Sequence, residues 1–192
     1  MLPTKFQNKL ELIEDLVVTP ILESRGLLCT IPDIKNLKEN QITDHLVKYL
    51  KFHSNSKYQK LYQTEILTIM RPTEVYEDKE SNEPDLKIVL FSPSNIITFE
   101  AKRINKGNPP NVYCGKEGFQ RFTDEYYEVE EYCGMLGYMQ EGDLTKVIDD
   151  IKSLIEKIFF IKFKEIYKNC FLSYHTCKDN KLKCHHIILD FT

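Results

Sequence analysis

Asp85, Glu100 and Lys102 are residue types that could carry out phosphate chemistry. Carboxylate oxygens are the ligands a hard divalent cation prefers. A cation held there makes bound water easier to deprotonate and offsets charge building on a phosphate, and a nearby ammonium group can contact that phosphate or position the water. For this the three side chains must meet. Residues 86–91 and 96–101 are β-rich runs separated by the turn cluster Ser92-Pro93-Ser94-Asn95, which predicts a β-hairpin over 85–102. Pairing Ser92 with Asn95 sets Phe91 opposite Ile96, Lys87 opposite Glu100 and Asp85 opposite Lys102. Alternation then collects Asp85, Lys87, Glu100 and Lys102 on one face and Leu86, Ile88, Leu90, Ile97, Phe99 and Ala101 on the other. The second face is apolar and belongs in a core. On the first, cross-strand neighbours about 5 Å apart would let both carboxylates share one cation.

Pro84-Asp85, followed after the hairpin by Glu100-Ala101-Lys102, resembles the PD-(D/E)xK motif of restriction-endonuclease-like nucleases. The resemblance spans about residues 38–140. It implies that Asp85 and Glu100 hold Mg²⁺ or Mn²⁺ with help from the carbonyl of Ala101, and that Lys102 orients or activates the attacking water. It also implies an α/β fold, a central mixed β-sheet flanked by α-helices. Each short string alone is common by chance. The simpler alternative is a solvated hairpin with cross-strand ion pairs.

Nucleases of this superfamily often add an acid from a helix before the hairpin, and the resemblance offers Glu39 or Asp44 for that place. At about 100° per residue, Glu39 falls within the stripe of Ile42, Leu46 and Leu50, whereas Asp44 lies about 140° away. A carboxylate on a buried face is costly unless paired or bound to metal, so Glu39 is the expected third acid. Its alternative is a solvated place at the helix start.

The elements that must position these residues follow from periodicity. Residues 5–18 have helical spacing that Pro20 should interrupt. A helix is expected over 38–51, a strand over 62–70 and a loop over 72–84. After the hairpin come a loop over 104–117, a helical stretch over 118–133 and a short strand at 135–139. Asp143 suits the N-cap of a long helix over 144–164, with Val147, Ile151, Leu154, Ile155 and Ile158 inward. Residues 170–191 read as a second hairpin turning at Asp179-Asn180, which pairs His175 with Cys184 and sets Cys177 and His186 on the same face. That permits zinc in principle, but structural zinc sites use other spacings, so packed thiols and hydrogen-bonded histidines are expected. The order of elements suggests one nuclease-like domain over 1–192, with its motif-bearing core at about 38–140 and a C-terminal helix and hairpin at 144–191.

The 192 residues suffice for one well-buried domain. No run approaches the roughly 18 apolar residues of a membrane helix, and Lys5 and Lys9 are followed by no secretory apolar stretch. The six scattered cysteines form no CxxC pair, so free thiols and a cytoplasmic location are expected. A net charge of −3 does not announce a nucleic-acid binder, although a nuclease needs only local positive charge. Lys102, Arg103, Lys106, Lys116 and Arg121 could line a phosphate groove. Tyr113, Phe119, Phe122, Tyr126 and Tyr127 could stack on bases, although core packing is the commoner use. The acids at 124–131 argue against a DNA track there and suit a protein partner. Gly118-Phe119-Gln120-Arg121-Phe122, Cys133-Gly134-Met135-Leu136-Gly137-Tyr138 and Ser173-Tyr174-His175 are similar to bacterial nuclease-like proteins of restriction and phage-defence type. The expected activity is therefore metal-dependent hydrolysis of phosphodiester bonds, in DNA rather than RNA. A homodimer or partner chain is expected by analogy with small nucleases that cut both strands. One rival is a catalytically inactive nuclease-fold subunit that binds nucleic acid or assembles with protein. Another is a plain protein-interaction module.

Overall fold

The computed structural model describes residues 8–52, 59–61, 67–71, 83–91, 95–124, 127, 131–158, 160–177 and 180–192. Apolar patterning builds a helical N-terminal layer. Asn8 caps α1 (Lys9–Ile13) by accepting from the Glu11 N–H. A π-helical turn, Glu14–Val18, joins α1 to α2 (Thr19–Leu28). The helix thus runs past Pro20, where the sequence predicts a break. Pro20 sits in the first turn of α2, and the wide turn before it sends the Thr19 N–H to the Glu14 carbonyl. In this continuous helix Pro20 supplies no N–H, and the wide π-helical turn comes just before it. The amphipathic α3 (Glu39–Phe52) then buries Ile42, Leu46, Val47 and Leu50.

Seven strands form one mixed sheet in the order β1-β2-β3-β4-β7-β6-β5. They are β1 (Leu67–Met70), β2 (Leu86–Leu90), β3 (Ile96–Ile104), β4 (Tyr132–Met139), β5 (Phe160–Tyr167), β6 (Cys170–Cys177) and β7 (Asn180–Asp190). β3, β4 and β7 run parallel, and the strands outside them pair antiparallel. One sheet face, with Leu86, Ile88, Ile97, Phe99, Ala101, Leu136 and Leu189, packs under the N-terminal helices and α3. The other, with Ile104, Met135, Phe171 and Ile188, packs under α4 (Pro110–Cys114) and α6 (Leu144–Ile155). Mixed sheet and flanking helices agree with the expected fold class.

Several boundaries differ from expectation. β3 runs on to Ile104, and α4 starts at Pro110 within the expected loop. Among the described residues of 118–133, helix is confined to α5 (Gln120–Thr123), and β4 has already begun at Tyr132. Asp143 does cap α6, accepting from the Lys146 N–H at 2.9 Å. The helix ends at Ile155, well before 164, because the aromatic and β-branched residues that follow make the edge strand β5. β5 carries two irregularities in register, between Phe160 and Lys162 and between Glu165 and Tyr167. Most of the expected loop over 72–84, residues 62–66 of the expected strand, and Tyr126 lie outside the described residues.

Gly134 in β4 marks a close approach. A Cβ there would lie 2.0 Å from Cε1 of Phe99, its neighbour on β3. Only a bare backbone admits that ring.

No helix among the described residues is long and apolar enough to cross a membrane. None of the six cysteines forms a disulfide.

Candidate functional site

The site forms where β2 stops and β3 continues. β2 pairs with β3 from Leu86↔Phe99 to Val89↔Ile96. This register differs by two residues from the expected one. The Leu90 N–H closes on the Asn95 carbonyl at 2.9 Å, and Phe91 takes a left-handed backbone (φ 61°), so Phe91 belongs to the turn and not to the ladder. Extending the ladder by one step sets Asp85 opposite Glu100, not Lys102, and Lys87 pairs with Thr98, not Glu100. A shift of two preserves faces. Asp85, Glu100 and Lys102 therefore still share one, and Leu86, Ile88, Leu90, Ile97, Phe99 and Ala101 are all buried on the other.

Beyond Phe99, β3 has N–H groups that β2 no longer reaches, and carboxylates take them. The Ala101 N–H donates to Asp85 Oδ2 at 2.8 Å. The Arg103 N–H donates to Glu39 Oε2 at 3.0 Å. Glu39, first residue of α3, thus reaches the end of the hairpin as expected. Its Oε1 lies 3.3 Å from Lys102 Nζ, and Glu100 Oε1 lies 2.8 Å from the same ammonium. Asp44 points elsewhere, paired with Arg71 at an exposed position. Ala101 keeps its methyl in the core and its backbone at the site.

Glu100 is 1% exposed. Its Oε1 also meets Arg121 Nη1 at 3.3 Å, and its Oε2 accepts from Tyr127 Oη at 2.6 Å. Sequence reasoning missed both contacts. The sequence groups Arg121 with candidate phosphate ligands and Tyr127 with candidate base stackers. Arg121 sits on a helix of only four residues and Tyr127 lies beyond its end, so no sustained period marks which way either side chain turns. Tyr113, Phe119 and Phe122 are buried in the core, the commoner of the two uses expected for them. Lys106 and Lys116 are exposed, and nothing draws either to the cluster.

Charge is concentrated here. Burial raises the pKa of Glu100 above its ordinary value, and the charge of Asp85 raises it further, against Lys102 and the Tyr127 hydroxyl. Glu39 is raised by burial and also by Asp85, against Lys102 and the Arg103 N–H. Burial pulls Lys102 down, but Glu39, Glu100 and Asp85 together outweigh it and hold the ammonium above its usual range.

Among the described residues no three His, Cys, Asp or Glu side chains converge as a ready metal cage. The donor chemistry does fit a hard cation. Asp85, Glu39 and Glu100 offer only oxygens, and Asp85 raises both glutamates by a repulsion that a divalent cation would relieve.

The C-terminal hairpin pairs in a register two residues off the expected one. His175 pairs with Leu182, and Ser173 with Cys184. All three of its histidines are buried, and His175 and His186 are hydrogen-bonded. His175 Nδ1 meets the Ile158 carbonyl at 2.7 Å, and Ser173 Oγ lies 2.8 Å from both His175 Nε2 and His186 Nε2. Tyr113 Oη meets His186 Nδ1 at 3.1 Å.

No protein-family model, curated protein or solved structure matches the chain.

Proposed function

We propose that this chain is a metal-dependent nuclease that hydrolyses phosphodiester bonds, in DNA rather than RNA, in restriction or phage defence. The observation that carries this reading is that Glu39 and Glu100 both contact Lys102 at the end of β2, with Asp85 accepting from the N–H of Ala101, which lies between Glu100 and Lys102 on β3. Mg²⁺ or Mn²⁺ held by Asp85, Glu100, Glu39 and the Ala101 carbonyl would supply an activated water and neutralise charge on the phosphate. Lys102, held charged between two glutamates, donates to a phosphate oxygen or orients the water. The partner is nucleic acid, joined by a second copy or another subunit where both strands are cut. The free thiols suit a cytoplasmic location.

The test compares wild type with Lys102→Ala and Asp85→Ala on plasmid, linear and single-stranded DNA, with and without Mg²⁺ or Mn²⁺. Lys102→Ala should lose cleavage by about 10²-fold or more yet still bind Mn²⁺ in calorimetry. Asp85→Ala should lose Mn²⁺ affinity itself. Equal activity in all three proteins would assign the cleavage elsewhere.

One observation favours a second reading. Both Glu100 oxygens already have partners, so the cluster is satisfied as an ion-pair network. On that reading the chain is a catalytically inactive nuclease-fold subunit, which retains DNA or a protein partner without cutting under any metal condition.

A further inference from the structure

A groove of about 210 Å³ opens between the end of α2 and the outer face of α3, and no residue of the carboxylate cluster lines it. Leu27, Leu28, Ile31 and Tyr49 give it apolar walls. The inner face of α3 is spent in the core through Ile42, Leu46 and Leu50. Its outer face sets His45, Lys48, Tyr49 and Phe52 at the spacing of helical neighbours. Leu27 is 48% exposed on one side and Phe52 is 62% exposed along the other, so the apolar surface runs on past the groove itself. A drug-sized ligand needs roughly 300–1,000 Å³. The groove is smaller than that and suits bulky side chains brought by another chain.

Its polar groups say what kind of chain fits. The wall formed by residues 29–31 has its backbone satisfied: the N–H groups of Cys29, Thr30 and Ile31 donate to the carbonyls of Arg25, Leu27 and Leu28 at 2.9, 2.9 and 3.1 Å. Thr30 Oγ1 also donates to the Leu27 carbonyl. That wall leaves no N–H with which an extended strand could pair, so an occupant must satisfy its own backbone, as a helix laid in a groove does. The side chains are the reverse. Among the described residues, no hydrogen bond or ion pair engages the side chain of His45, Lys48 or Tyr49. Lys48 brings a positive charge, and His45 lies three residues before it on the same face. Burial, and then the charge of Glu23, raise the pKa of Tyr49 and keep its hydroxyl a donor. A carboxylate is the complement of this set, placed at His45 and Lys48 and away from Glu23.

We propose that this groove docks an amphipathic α-helix of a partner protein, which seats leucine or phenylalanine side chains between α2 and α3 and sets a carboxylate against His45 and Lys48. The docking stands apart from the chemistry of the Asp85–Lys102 cluster and survives or fails without it.

The experiment measures fluorescence anisotropy of two labelled model helices added to the full chain. Each is alanine-based, about 16 residues long so that it holds a helix, and carries one leucine stripe. One has glutamates flanking the stripe and the other has lysines. Wild type should bind the glutamate helix about tenfold more tightly than the lysine helix. Lys48→Glu should abolish that preference, and Leu27→Glu should weaken the glutamate helix by about tenfold or more. Lys146→Glu, an equal change of charge at an exposed position outside the groove, should alter neither. Circular dichroism checks folding, and Lys48→Gln and Leu27→Ala replace any groove variant that does not fold. Wild type that binds neither helix, binds both equally, or binds the glutamate helix regardless of the changes at 48 and 27 overturns the proposal. So does a wild-type dimer in sedimentation that Leu27→Glu dissolves, since it assigns the groove to a second copy of this chain.

Discussion

Glu39 and Asp44 lie on the same helix, and the structure gives them different work. Glu39 caps the Arg103 N–H and touches Lys102, while Asp44 pairs with Arg71 at an exposed position. Glu39→Gln should therefore slow metal-dependent cleavage by about tenfold or more. Asp44→Asn should leave it unchanged, because an exposed pair contributes about 1 kcal/mol or less. Cleavage rates of the two variants on one substrate check this. The raised carboxyls also set a dependence on pH. A carboxyl whose folded pKa exceeds its ordinary 4.5 favours the fold most below that value. Its contribution is lost as pH rises through the folded pKa. A divalent cation binds the ionised form, so Mn²⁺ should raise the melting temperature more at pH 7 than at pH 5. An equal rise at both would show that Glu39 and Glu100 do not hold the ion.

At the scale of elements, β3 is the scaffold of the site, and Gly134 sets how closely β4 approaches it. Gly134→Ala would drive a methyl into the Phe99 ring, whose place on β3 is one residue before Glu100. Overpacking of this kind costs about 1–3 kcal/mol, and the displaced strand should take cleavage down with it. Urea unfolding and DNA cleavage on the same preparation check both. Period-two alternation was enough to place Asp85, Glu100 and Lys102 on one face and the six apolar partners on the other. Register was not legible, because it depends on where the turn closes, and nothing in the composition of the turn marks Phe91 as left-handed. Because the misplacement was by two in both hairpins, the faces survived and the pairings did not. The end of α6 was hidden for a related reason. The residues from 158 onward suit a helix or an edge strand equally, and pairing with β6 decides between them. Arg121 and Tyr127 escaped because a four-residue helix and a position beyond its end give no sustained period to read.

Across the whole molecule, the least expected feature is three fully buried histidines on two neighbouring strands, His175 on β6 and His185 and His186 on β7. Burial lowers the pKa of all three, that of His185 to about 3. The unfolded chain then binds protons near pH 6.5 that the folded one refuses. Stability is fully present above that pH, and each histidine should subtract about 1.4 kcal/mol per pH unit as the pH falls toward its folded pKa. His185 and His186 should nevertheless behave differently when replaced. Neither His185 nitrogen has a partner, whereas His186 bonds Ser173 and Tyr113. His185→Leu should be near neutral at pH 7 and stabilising at pH 5, while His186→Leu should cost about 1–3 kcal/mol at pH 7 by stranding its partners. Urea midpoints at the two pH values measure this.

The two register slips in β5 bear on how the protein behaves when crowded. An outermost strand with straight, continuous pairing is a template on which a neighbouring chain can add itself, and that is how sheets grow into fibres. Between its slips, β5 pairs regularly with β6 only from Lys162 to Glu165. That stretch holds two lysines and a glutamate, and Lys164 and Glu165 are already paired with Glu14 and Lys152. An incoming strand would find too short a run to zip onto, and charges it must first pull away. Concentrated solutions should therefore resist aggregation along this margin, even though Ile161 and Tyr167 stand about half exposed beside it.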